Sequence, residues 1–369
     1  MTNRPLTLFR RTVTLPVFTA LIFACVPFVF DVWSQSKDSS IVTLNECWRY
    51  RSSNFTALKP AVDKSNLYIA ENGGRVTAVS LSSGTRLWST EFGGEIRSNV
   101  IVQASNVYAV TTDTSKHARL RSLSATTGIP NFEVEIPISE NVRLGNADNK
   151  LVVALDNGYL AVYEFGSTKP DWQSTVPGID LATMVFAPGK IVAATDDKRI
   201  HSVNLIDGKE TSILPVADQI AALGLFEGNI LSGDSRGNLM RYNDDHSVSW
   251  RFRNGARISS IVPTPHGVLA ASADNFVYMV GDYFGDIRWK KRMAGRVLSI
   301  ATDGDIAIAL TVGEPTAILL NLENGRSVGQ LAISDDDSFT QPVIAADGRL
   351  FFFTTTQILS ESINPCSLK

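Results

Sequence analysis

Four histidines and three cysteines are the most reactive side chains in this 369-residue sequence, and their spacing is the first thing to read for chemistry. His117, His201, His246 and His266 are scattered, the nearest two being 20 residues apart. A zinc site built on one helix or loop needs imidazoles a few positions apart, as in H-E-x-x-H, so a shared zinc centre is not indicated and turn or surface positions are expected. Asp335-Asp336-Asp337 offers carboxylates to Ca²⁺ but lacks the alternating D-x-D-x-D-G pattern, so it reads as a solvated loop. Arg288-Trp289-Lys290-Lys291-Arg292, with Arg296, is a dense cluster of cations that could meet an acidic lipid or partner. Side chains alternate between the two faces of a strand, so a solvated rim is the plainer reading. The formal charge of −3 gives no general attraction for polyanions, and nucleic acid is not an expected partner. Asn54-Phe55-Thr56 fits a glycosylation sequon, a pattern short enough to arise by chance.

The elements that carry these residues repeat. Between Lys59 and Phe92, an apolar run (Leu67-Tyr68-Ile69-Ala70), a Gly73-Gly74 turn, a β-branched run (Val76 to Val79), a Ser83-Gly84 turn and Trp88 follow one another. This reads as three short strands and the start of a fourth. The residue four past the second turn recurs as Trp48, Trp88, Phe132, Trp172, Ser212, Trp250, Trp289 and Gly329, in steps of 40, 44, 40, 40, 38, 39 and 40. Five of the six tryptophans share this phase. A period near 40 with four strands per unit is one blade of a β-propeller, an all-β ring of four-stranded antiparallel sheets. The common phase assigns Trp48, Trp88, Phe132, Trp172, Trp250 and Trp289 a structural role, since no single binding site would require an aromatic of every blade.

Eight units are counted, but the first consists of one strand, around Glu46 to Tyr50, and the last lacks its fourth. The two halves are expected to pair as one closing blade, giving eight blades over residues 42–369. That pairing brings Cys47 beside the end of the last strand and close to Cys366, within the reach of a disulfide. Two free thiols are the alternative.

Residues 1–11 carry Arg4, Arg10 and Arg11 and no acid, residues 12–30 carry no charge, and 31–41 form a polar, Ser-rich linker. Nineteen apolar residues suffice to cross a bilayer, and the basic flank puts the N-terminus inside and the rest outside. A retained signal anchor, a signal peptide cleaved after Ser34 and lipidation at Cys25 all export the propeller. The expected location is therefore extracytoplasmic: membrane-anchored, periplasmic in a Gram-negative cell, or secreted after cleavage.

The pattern of an apolar-Tyr strand, a Gly turn, Val-x-Ala-Val and Thr/Ser-Gly-x-x-x-Trp resembles the pyrroloquinoline-quinone-type repeat from Cys47 to the end of the chain. Asn229 to Leu239 and Pro342 to Leu350 are similar to stretches of its non-enzymatic, BamB-like branch. Ser212 and Gly329 depart from the repeat, standing where tryptophan is expected. The resemblance implies a non-catalytic protein–protein interaction scaffold, possible partners being envelope proteins gripped by the loops of the propeller faces, with no cofactor. The family's quinoprotein oxidoreductases carry a Ca²⁺-held quinone on the axis and often a pair of adjacent cysteines. This chain has no Cys-Cys pair, no haem-attachment Cys-x-x-Cys-His, and no long insertion to cover an axial cofactor. A quinoprotein oxidoreductase and a channel that binds a small ligand or glycan are the alternatives.

Overall fold

Residues 61–91 form the first blade, with strands Ala61–Val62, Asn66–Glu71, Arg75–Ser80 and Arg86–Glu91 joined antiparallel in sequence order. The sequence explains the layering. The second and third strands are apolar at consecutive positions and buried on both faces, while the outer strand alternates a half-buried residue with exposed ones. In the computed structural model, residues 43–312, 316–334 and 336–366 are described. The expected leader (1–11), membrane or signal segment (12–30) and linker (31–41) lie outside them.

Seven further sheets repeat the pattern, so the all-β, eight-bladed propeller with four-stranded antiparallel blades is the fold. In blade two the inner strand is split into Glu95–Ile96 and Ile101–Gln103, both pairing with Asn106–Thr112. Blade eight joins the two ends of the chain. Ile344–Ala346, Arg349–Phe353 and Gln357–Ser362 supply three strands, and Asn45–Arg51 adds the outer one, pairing Asn45 with Ser362 and Arg51 with Gln357. A bulge between Glu46 and Trp48 interrupts that ladder at Cys47, where a disulfide joins it to Cys366 with Cα atoms 5.4 Å apart.

The core is divided into layers between blades. Eight buried clusters each draw on two neighbouring sheets: Tyr108, Val110 and Leu120 of blade two meet Leu144, Leu151 and Val153 of blade three, and Trp48 and Phe351 of blade eight meet Leu67 and Val79 of blade one. Polar seams reinforce the layers. Asn99 holds Leu144 by both its amide atoms, and the buried Arg349 donates to the carbonyls of Leu81 and Ser82 at 2.7 and 3.0 Å, tying blade eight to blade one.

Candidate functional site

Each aromatic of the repeat sits on an outer strand and faces the next blade. The indole N–H of Trp48 donates to Leu81 O (2.7 Å), Trp88 to Ala125 O (2.9 Å), Trp172 to Leu205 O (2.8 Å), Trp250 to Asp282 O (2.7 Å) and Trp289 to Leu322 O (2.8 Å). Three residues past each accepting carbonyl stands a glycine with φ of 69–70°, and a Cβ there would come within 2.4–2.8 Å of the indole. Glycine is needed at Gly84, Gly128, Gly208, Gly285 and Gly325 for two reasons, backbone conformation and room for the ring.

The departures from tryptophan coincide with departures in the turn of the following blade. Phe132 faces a longer connection whose Gly166 has no atom near an added Cβ, and whose Phe165 packs on Tyr108, with ring centroids 5.3 Å apart. Ser212 faces a shortened turn in which His246, at φ 67°, replaces the glycine, and a cavity of about 300 Å³ lies beside them. Gly329 faces blade eight, which has no such turn because its outer strand comes from the other end of the chain. Each turn contains a visible sequence irregularity, but only the ring order says which strand it must be read against.

A cavity of about 880 Å³ opens on the axial side of five consecutive blades, from blade eight through blade four. Lys59, Arg97, Asn99, Arg143, Asn146 and Phe186 are among its lining. Arg143 donates to Leu181 O and lies over the Phe186 ring at 5.4 Å, while Arg97 is ion-paired with Glu95 and Glu140. Withdrawal from water, and then the charge of Arg143, lower the pKa of Lys59; withdrawal from water lowers that of Arg143, with Asp180 opposing. Among the described residues its lining holds no carboxylate; the side-chain oxygens it offers are amide ones, from Asn99, Asn141, Asn146 and Gln341.

The sequence-selected histidines stay apart, in blades two, four, five and six. His117 is 3.5 Å from Asp113 at the surface, His266 is 3.8 Å from Asp305, and His246 is in its turn. His201 differs from expectation: it is buried within a strand and bonded to Glu210. Among the described residues, no group of three or more His, Cys, Asp or Glu is placed to hold a metal ion. The Asp335-Asp336-Asp337 segment also departs from a solvated loop. Asp335 is outside the described residues, but the buried Asp337 carboxylate accepts from the hydroxyls of Thr354 (2.6 Å), Thr355 and Thr356 (2.8 Å) and from two backbone amides. Burial raises its pKa, but these donors prevail and hold it at about 2.

Comparison with known proteins places this arrangement. The family model described as outer membrane protein assembly factor BamB matches residues 31–219. The outer membrane protein assembly factor BamB of Yersinia pestis is 21% identical over 374 residues, covering 86% of this chain and 84% of that protein. The crystal structure of BamB from Moraxella catarrhalis has a TM-score of 0.69 at 15% identity, covering 87% of this chain and 98% of that one. Saccharomyces cerevisiae Sqt1 reaches 0.73 at 12% identity over 87% of this chain and all of the other, so a likeness at this level shows the ring alone. The family match spans over half of a chain whose repeats close into eight blades, and the protein belongs to the outer membrane protein assembly factor BamB family of propellers with pyrroloquinoline-quinone-type repeats.

Proposed function

We propose that this protein is a non-catalytic, extracytoplasmic scaffold that grips protein partners during outer-membrane protein assembly. Family membership carries the reading, and the construction of the ring supports it. The blades spend their apolar and hydrogen-bonding groups on one another, which leaves loops on a stiff frame as the surface available for partners. Residues 12–30 are proposed to hold the propeller at the membrane, with Arg4, Arg10 and Arg11 inside.

Affinity purification of the full-length protein from native membranes should recover components of the outer-membrane assembly machinery. Recovery of none, from membranes in which that machinery is intact, would remove the assembly role. For topology, protease added to spheroplasts with the outer membrane opened should degrade the propeller; full protection under a sealed inner membrane refutes the placement. The axial cavity also supports a second reading, binding of a small anionic or glycan ligand. A desalted preparation carrying no extractable small molecule would exclude a tightly held one.

A further inference from the structure

Residues i, i+2 and i+4 of a strand share a face. The outer strand Ile287–Arg292 therefore gathers Arg288, Lys290 and Arg292 on one exposed side, and the outer strand of the preceding blade, Val248–Arg253, does the same with Arg251 and Arg253. The alternation that would scatter a cationic run concentrates most of this one. With Lys291, these two strands carry six cations and no acid, whereas the outer strands of the other six blades hold three cations and five acids. Protecting an edge strand from unwanted pairing needs only an occasional charge, and the outer strands of blades three and seven carry none. Among the described residues, Arg251, Arg253, Lys290, Lys291 and Arg292 have no carboxylate within ion-pair distance, while Arg288 is held 2.9 Å from Asp282.

One end of this wall carries an aromatic tip. Tyr283 and Phe284 are 70% and 85% exposed, and Ile287 beside them is 48% exposed. Their turn is fixed from below: Asp282 O accepts from Trp250 Nε1 at 2.7 Å and Arg241 Nη1 at 2.9 Å, and Gly281 N donates to Asp286 O at 2.7 Å. The rings thus project into solvent from a turn whose backbone is pinned.

We propose that the outer wall of blades five and six is a contact surface for an anionic phospholipid bilayer, with Tyr283 and Phe284 entering the headgroup layer and Arg251, Arg253, Lys290 and Arg292 lying along the phosphates. Aromatic side chains settle at the level of the headgroups, and each Lys or Arg at an anionic surface strengthens binding about fivefold. An acidic protein would match the charges, but it would need sockets for two projecting rings together with an extended acidic face. A charged bilayer offers both at once. The acids of the two turns do not cancel the field, since Asp282 is taken by Arg288 and Asp286, Asp244 and Asp245 stand against five unpaired cations. The contact is distinct from the proposed anchoring by residues 12–30 and needs no partner protein.

The test uses full-length protein with vesicles of phosphatidylcholine alone, or of phosphatidylcholine and phosphatidylglycerol in equal amounts. An amine-acetylating reagent is added and modified lysines are read by peptide mass spectrometry. Labelling of Lys290 should fall severalfold on the anionic vesicles relative to the neutral ones, while exposed Lys116 on blade two should not change. Replacing Arg251→Glu together with Arg292→Glu keeps both lysines and should abolish the difference at an unaltered melting temperature; Phe284→Ser should weaken it. Equal labelling of Lys290 on both vesicles overturns the proposal. So does protection by soluble polyglutamate without protection by the anionic vesicles, which would assign the wall to an acidic protein. Cosedimentation with neutral vesicles reports separately on anchoring by residues 12–30, so failure of the anchor and failure of the wall are distinguishable.

Discussion

Glu361 is 3% exposed on the strand that receives the N-terminal one, directly opposite Glu46 in the ladder. Burial, and then the Glu46 charge, push its pKa to about 7, with Arg49 opposing. A folded carboxyl that stays protonated past the unfolded value of 4.5 contributes stability that is complete below that value and is lost as pH rises through about 7. Glu361→Gln does not titrate, so it should raise the melting temperature relative to the parent at about pH 8 and not at about pH 4. An equal effect at both would show that the carboxyl does not titrate in this window. Asp337 has the opposite sign: with its pKa depressed to about 2, its contribution is present above the ordinary 3.8 and is lost as pH falls through the lower value. Asp337→Ala strands the hydroxyls of Thr354, Thr355 and Thr356, and a loss of about 3 kcal/mol is expected in denaturant unfolding at neutral pH.

At the scale of the element, one indole from each of five outer strands closes the gap to the next blade. We infer that these side chains are structural. Trp250→Ala, which empties a 5% exposed site and removes the bond to Asp282, should cost about 3–5 kcal/mol with any remaining folded protein still binding its partners. A variant that loses partner binding at an unchanged melting temperature would overturn that role. The interface between blades four and five is the informative contrast, because Ser212 occupies the indole position and His246 the glycine position. Ser212→Trp alone puts the indole against the His246 side chain. Combined with His246→Gly, it should fill the cavity of about 300 Å³ and raise the melting temperature above that of either single variant. A double variant no more stable than Ser212→Trp would show that the turn length, one residue shorter here, governs the socket instead.

For the whole molecule, the consequential decision is how the ring closes. A propeller closed by its own ends exposes a sheet edge if the terminal strand leaves, and here Asn45–Arg51 is held by a ladder, by Trp48 and by the Cys47–Cys366 bond. The bond spans 319 residues, so the chain-entropy account gives about 6 kcal/mol. Cys47→Ser with Cys366→Ser should lower the melting temperature and raise amide exchange first in Asn45–Arg51 and Gln357–Ser362. Uniform exchange across all eight blades would mean that the latch does not govern opening.

The repeat period, the four-strand unit, the eight-blade count and the Cys47–Cys366 pairing were all legible in the sequence. Periodicity of apolar runs and turn glycines is local, and closure follows from arithmetic on an incomplete first and last unit. What the sequence could not supply was the order of faces across the ring. Ser212 looked like a broken repeat until its strand was placed against the His246 turn, some 34 positions away. Likewise Asp337 looked solvated because the Thr354-Thr355-Thr356 turn that satisfies it lies across a strand. In each case the deciding contact joins residues of different strands or blades, and the pairing and stacking of sheets sets those distances, not spacing along the chain.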